Sequence, residues 1–219
     1  MSEHGERRPE RKFDPARADQ LDAPERDSYL PDAPLVELLE LRGEETVVDY
    51  GAGTGRLAIA VRAALGTGGR VIAVDESDEM VARLSARIAA ANAQVETVKI
   101  AANHVPEPDG TADRVLAVNM LHEVHSERAL EEIARLLRPD GLLLVADWER
   151  GRDSERALGP PDEIIYSEDG AAAELEQAGF EVERHPLALR AGRPAAGVIG
   201  RQPPPSRRGA CNQAATASS

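Results

Sequence analysis

Three groups of side chains in this 219-residue chain have types and spacing that suit chemistry. The first is the run VVDYGAGTGR, residues 47–56, in which Gly51, Gly53 and Gly55 alternate behind Asp49, with Ala52 between the first two. Glycine lacks a Cβ and tolerates positive φ, so such a loop lets backbone approach a ligand closely. The second is Asp75, twenty residues beyond Gly55. A carboxylate at that point, ending a strand, can accept hydrogen bonds from both hydroxyls of a ribose. The third is NMLHEVH, residues 119–125, which gathers Asn119, His122, Glu123 and His125. A histidine placed there suits general-base work near neutral pH; the plainer alternative is that His122 only shapes a pocket. Asp147 and Trp148, together at the end of another strand-like run, are candidate walls of the same pocket.

The charge near the loop narrows the ligand. A pyrophosphate favours an uncluttered, donor-rich loop and helix N-terminus, whereas Asp49 adds negative charge two residues before the first glycine. That arrangement suits a ligand carrying an ammonium and a sulfonium. The loop contains no lysine, so it is not a P-loop. His122 and His125 are three residues apart, not the four of an HExxH zinc site, and no metal is expected.

These groups need elements to hold them. TVVDYG reads as a buried strand, TGRLAIAVRAAL as a helix and GRVIAVD as a second strand. SDEMVARLSARIAAAN is a helix capped by Ser77, with Met80 on its first turn. QVETVKIA and ADRVLAVNML are strands three and four. SERALEEIARLL is a helix stopped by Arg138-Pro139, GLLLVADW is strand five, and SEDGAAAELEQAGF is a helix ended by Gly179. EVERHPLAL, RAGRP and AAGVIGRQ read as strand, turn and strand. Upstream lie two helical segments, about 15–27 and 31–41, broken by Pro24 and Pro31, with Leu35, Leu38, Leu39 and Leu41 on a repeating face. Strands alternating with helices predict a mostly parallel sheet wrapped on both faces. The division expected is a disordered N-terminus (1–12), a helical cap (13–42), one α/β domain (43–201) and a disordered tail (202–219).

Composition sets the outer bounds. The net charge of −13 argues against a non-specific nucleic-acid binder, whose footprint is a basic patch. One cysteine, Cys211, leaves no intramolecular disulfide and no cysteine-built zinc site. No apolar run approaches the ~18 residues of a membrane span, and a cytoplasmic protein is expected.

Four segments taken in order, VVDYGAGTGR, VIAVDESDEMV, ADRVLAVNMLHEV and LLRPDGLLLVADW, resemble successive motifs of class I S-adenosylmethionine-dependent methyltransferases. The group most similar includes quinone-biosynthesis C-methyltransferases and small-molecule enzymes. The expected fold is α/β: a Rossmann-like seven-stranded sheet of order 3-2-1-4-5-7-6, strand seven antiparallel, helices on both faces. The resemblance implies S-adenosylmethionine as cofactor and a small-molecule acceptor. It implies that Gly51 and Gly53, with Ala52 and Gly55 in the same loop, approach the methionine part, with Asp49 near its ammonium. It further implies that Asp75 binds the ribose, while Glu76 and Met80 flank ribose and adenine. Asn119 touches the cofactor, and His122 and Glu123 face the transferring methyl as candidate catalytic residues. The acid usually offered to the adenine amino group after strand three is replaced by Ala101 and Ala102, with Asn103 or nearby backbone expected to substitute. Two other readings are a cofactor-binding protein without activity and a nicotinamide-dependent oxidoreductase. The second lacks a separate substrate domain and a tyrosine–lysine pair.

Overall fold

The computed structural model describes residues 12–123, 126–148, 159–161, 163–187 and 195–201. Five strands form a parallel sheet: β1 (Thr46–Tyr50), β2 (Arg70–Asp75), β3 (Glu96–Lys99), β4 (Ala112–Val118) and β5 (Leu137–Asp147). Their order is β3-β2-β1-β4-β5, the α/β arrangement expected of a Rossmann-like fold. A further strand, β6 (Glu181–Leu187), follows the last helix. The strands are rich in valine, isoleucine and leucine because both faces of a parallel sheet are covered.

Side chains alternate across the sheet, which divides the core in two. On one face Val48, Tyr50, Ile72 and Val74 pack with Leu130, Ile133 and Leu136 of α5 (Ser126–Leu136) and Leu175 of α6 (Glu168–Gln177). On the other, Val47, Val71 and Ala73 pack with Leu57 and Val61 of α3 (Arg56–Ala64) and Leu84 and Ile88 of α4 (Asp78–Ala90). The Ser77 hydroxyl caps α4 by accepting from the Met80 N–H at 3.3 Å, and Ser167 caps α6 by accepting from Gly170 at 3.1 Å. Gly179, at φ +89°, stops α6 because that conformation carries no Cβ penalty for glycine.

The structure departs from the sequence reading in two places. The segment expected as a helix over 15–27 is a 3₁₀ helix, Pro15–Asp22, followed by the single-turn α1 (Arg26–Tyr29); the next segment is α2 (Asp32–Leu38). Prolines interrupt the run, and Ala18 is the only buried apolar side chain described before Leu30. No continuous apolar stripe exists there to propagate an α-helix. The break expected at Arg138-Pro139 is absorbed into β5. Leu137 pairs with Ala112, Asp140 takes φ +65°, and the register resumes with Leu142 opposite Arg114.

Arg114 is buried and donates to the carbonyls of Leu39 (2.6 Å) and Glu40 (3.3 Å), closing the C-terminal end of α2. The expected disordered ends, Lys12 apart, lie outside the described residues. Among the described residues no helix is long and apolar enough to cross a membrane.

Candidate functional site

β1 ends in Tyr50 and the chain turns at once into the glycine loop. The N–H groups of Gly51 and Ala52 both donate to the Val74 carbonyl (3.0 and 2.9 Å), and the Gly53 N–H donates to Asp75 Oδ2 at 2.9 Å. The loop is thus tied to the end of the neighbouring strand. Gly53 sits at φ +55°, and a Cβ there would meet only Leu21 Cδ1, at 3.6 Å. Gly55 differs: at φ +81° it begins α3, and a Cβ would overlap Leu84 Cδ1 of α4.

Above the C-terminal ends of β1, β2 and β4 opens a cleft of about 1390 Å³. Single-ligand pockets run to roughly 300–1,000 Å³, and this open cleft exceeds that range. Asp49, Gly51, Ala52, Gly53, Asp75, Glu76, Met80, Asn103 and Asn119 all line it, as do His122, Glu123 and Trp148. Gly55, expected beside the cofactor, is not in the lining; its position serves the close packing of α3 on α4.

Asp49 is 3% exposed, and its Oδ2 has no hydrogen-bond partner in the structure. Burial, and then the charge of Asp75, push its carboxyl up to about 7. Arg26, also buried and lining the cleft, counters this with positive charge. Its guanidinium bonds Asp32 at 3.0 Å. The cleft therefore holds a carboxylate and a guanidinium near one another, a set that suits a zwitterion.

Asp75 is fixed by two backbone bonds, from Gly53 to Oδ2 and from Ser77 to Oδ1, each 2.9 Å. A carboxylate has about four lone-pair sites, so each oxygen retains capacity for a ligand hydroxyl. Burial raises its pKa, and the backbone bonds oppose the rise. Glu76 pairs with Lys12 at 2.6 Å, and Met80 is buried on the first turn of α4. After β3, Ala101 and Ala102 bring no acid to the cleft. Asn103 lines it at φ +65°, and its carbonyl accepts from the Tyr50 hydroxyl at 2.9 Å. Asn119 follows β4 at φ +54°, its N–H donating to the Ala146 carbonyl at 2.8 Å.

His122 and Glu123 form the other end. His122 Nδ1 lies 2.6 Å from Asp147 Oδ1, and its Nε2 lies 3.7 Å from Glu123 Oε1. Burial pulls the imidazole pKa down, but the Asp147 and Glu123 charges outweigh it and the net shift is upward. Glu123 Oε2 accepts from the Phe13 N–H at 2.9 Å, and burial pushes its carboxyl up to about 6. His125 lies outside the described residues. Gly159 sits against the indole ring of Trp148.

Sequence reasoning treated Asp147 as a wall and did not join it to His122. The signal was present: β4 and β5 are neighbouring parallel strands, with Val118 opposite Ala146, which sets the last residue of β5, Asp147, beside the turn that follows β4. Arg26 and Phe13 carried no such signal, because they reach the cleft from an irregular segment.

Residues 47–141 match the family described as a methyltransferase domain. A SAM-dependent methyltransferase from Aquifex aeolicus, of known structure, is 30% identical with a TM-score of 0.79, over 87% of this chain and 99% of that one. The ubiquinone/menaquinone biosynthesis C-methyltransferase of Pseudomonas putida is 32% identical over 120 residues, 52% of this chain and 46% of that protein. The chain thus spans about half the length of the curated relatives it matches. The 1,6-didemethyltoxoflavin-N1-methyltransferase of Burkholderia thailandensis, solved with 1,6-didemethyltoxoflavin and S-adenosylhomocysteine, shares the fold. Its TM-score is 0.66 at 22% identity, over 86% of this chain and 84% of that one.

Proposed function

The chain belongs to the class I S-adenosylmethionine-dependent methyltransferases, and we propose that its cleft directs methyl transfer to a small-molecule acceptor. The observation that carries this reading is Asp49: a buried carboxylate in the cleft, with one oxygen unpartnered, beside a glycine loop. Such a group calls for a cation, and an ammonium answers it. A pyrophosphate brought to the same place would meet a like charge, which disfavours the nicotinamide alternative.

S-adenosylmethionine, when bound, supplies a methyl group already activated on a sulfonium, so the protein's work is positioning and exclusion of water. In this reading Asp49 and Arg26 hold the ammonium and carboxylate of its amino-acid part, and the backbone of Gly51–Gly53 lies against it. Asp75 takes the ribose hydroxyls. Glu76 and Met80 flank ribose and adenine, Asn103 stands in for the missing acid, and Asn119 contributes backbone or side chain. His122 accepts the acceptor's proton, with Glu123 beside it.

Residues 13–42 act as a cap in this reading. Supporting it are the Phe13 N–H on Glu123, the Asp22 carboxylate accepting from the Thr54 hydroxyl at 2.7 Å, and the presence of Phe13, Leu21 and Arg26 in the cleft lining. The full sheet of the reading is 3-2-1-4-5-7-6. A seventh strand over 195–201 is supported by an antiparallel register from Leu142 opposite Arg201 to Asp147 opposite Ala196. A small-molecule acceptor is supported by the concave cleft and by the names of the ubiquinone/menaquinone biosynthesis C-methyltransferase and the 1,6-didemethyltoxoflavin-N1-methyltransferase.

The test is calorimetric titration with S-adenosylhomocysteine, followed by transfer of isotopically labelled methyl into a metabolite extract. Micromolar binding with label in an extractable small product is expected. Absence of binding overturns the reading; binding with no transfer to any fraction favours the cofactor-binding protein without activity.

A further inference from the structure

We propose that Asp147 is a positioning residue that fixes His122 as the base of this site, so that the acceptor's attacking atom must carry a proton to lose. The inference rests on the methyltransferase reading above and specifies its acceptor end.

The Asp147 carboxylate grips one residue twice. Oδ1 lies 2.6 Å from His122 Nδ1, and Oδ2 accepts from the His122 backbone N–H at 3.2 Å. The Trp148 N–H donates to Oδ1 at 2.7 Å. Both partners are nearly sealed from solvent, Asp147 at 7% and His122 at 8% exposed. An ionised carboxylate only accepts hydrogen bonds, so the proton of a neutral imidazole is held on Nδ1. The lone pair is then left on Nε2, on the side of Glu123. Both His122 and Glu123 line the cleft.

A purely structural role accounts poorly for this arrangement. A buried ion pair contributes little to stability relative to apolar residues of the same volume, and the strand positions next to it, Ala117, Val118, Val145 and Ala146, are apolar. Here the pair joins the last residue of β5 to the turn that follows β4, and the carboxylate is held by a second bond, from the His122 backbone N–H. Asp147 and Glu123 are the charged groups acting on His122, and both favour the imidazolium. When Nε2 takes a proton from an acceptor O–H, N–H or acidic C–H, the bonding pair stays on the acceptor and Asp147 balances the new charge. A tertiary amine or a thioether has no such proton and makes no use of this device.

The test is nitrogen-detected NMR of the full chain, with His122 assigned by comparison with His122→Gln. Wild type is expected to show the Nδ1-protonated tautomer with a protected, downfield ring proton. In Asp147→Asn that proton should lose its protection, and the titration of His122 should move to lower pH, because a charge that favours the imidazolium is gone. A neutral ring protonated on Nε2 in wild type, above the titration of His122, or an unmoved titration in Asp147→Asn, overturns the proposal. Should Asp147→Asn fail to fold, the wild-type tautomer alone decides. S-adenosylhomocysteine affinity, measured on the same samples, reports separately on the methyltransferase reading, because the NMR outcome does not depend on it.

Discussion

Replacing Asp49 with asparagine should make the empty protein more stable and the cofactor complex weaker. The carboxyl titrates near 7 in the folded chain against an ordinary 3.8, and one pKa unit corresponds to about 1.4 kcal/mol. Holding the charge inside the fold at alkaline pH therefore costs about 4 kcal/mol as an upper figure. Asparagine removes the charge but places an amide N–H where Oδ2 has no partner, which returns about 1–3 kcal/mol. A net gain of about 1–3 kcal/mol remains, equivalent to a Tm rise of several degrees for a chain of this size. The sign is set by linkage: a pKa raised on folding means the folded state binds more protons between 3.8 and 7, so wild-type stability falls as pH rises through that window. The variant's advantage should be full above pH 7, shrink as pH drops below 7, and reverse before pH 4, where the charge cost is gone and only the penalty of the amide remains. Losing a charge-assisted bond to an ammonium costs about 1.5–3 kcal/mol, so S-adenosylhomocysteine should bind roughly ten- to a hundredfold more weakly. Scanning calorimetry at pH 5 and pH 8, with titration calorimetry at pH 8, measures both effects. A stability difference independent of pH would refute the assignment of the buried charge, and an unchanged affinity would refute its pairing with the ammonium.

Gly55→Ala should destabilise the fold by about 2–4 kcal/mol through left-handed backbone strain and overlap with Leu84; a wild-type urea midpoint would contradict the packing role. Asp75→Ala should weaken S-adenosylhomocysteine binding by about 1.5–3 kcal/mol and release the Gly53 and Ser77 N–H groups. Undiminished affinity in a folded variant rejects the ribose assignment. Hydrogen exchange should slow in residues 13–30 when S-adenosylhomocysteine binds if this segment closes over the cleft. Protection limited to Gly51–Gly55 and the surroundings of Asp75 would make it a fixed cover.

The core of the fold was legible because its signals are local. Val47–Val48 and Val71–Val74 announce strands covered on both faces, and Ser77 and Ser167 mark helix starts whose caps the structure contains. That Gly51, Gly53 and Asp75 share one cleft was legible for the same reason: loop and carboxylate lie at fixed distances along consecutive strands. What escaped depends on contacts distant in sequence. Gly55 looks like its neighbours in the loop, yet it faces Leu84 on another helix. Asp147 and His122 are joined only by strand adjacency. The 3₁₀ segment before Leu30 follows from a shortage of apolar partners, which residue spacing alone does not display.

The anchoring of α2 by Arg114 gives the N-terminal stretch a graded resistance to disturbance. Its root is buried: Leu30, Leu35 and Leu39 sit in the core, and the Leu39 and Glu40 carbonyls are held by a guanidinium. Toward residue 12, apart from Ala18 and Arg26, the attachments among the described residues are backbone bonds and side chains in contact with water. Asp19 meets Arg83, Asp27 meets Arg56, and Lys12 meets Glu76, all with at least one partner well exposed. Exposed pairs of this kind contribute at most about 1 kcal/mol each and weaken as ionic strength rises. Apolar burial at the root is insensitive to moderate salt and yields to denaturant or heat. Salt and temperature thus act on opposite ends of one short segment, and the boundary between them falls at Leu30–Pro31.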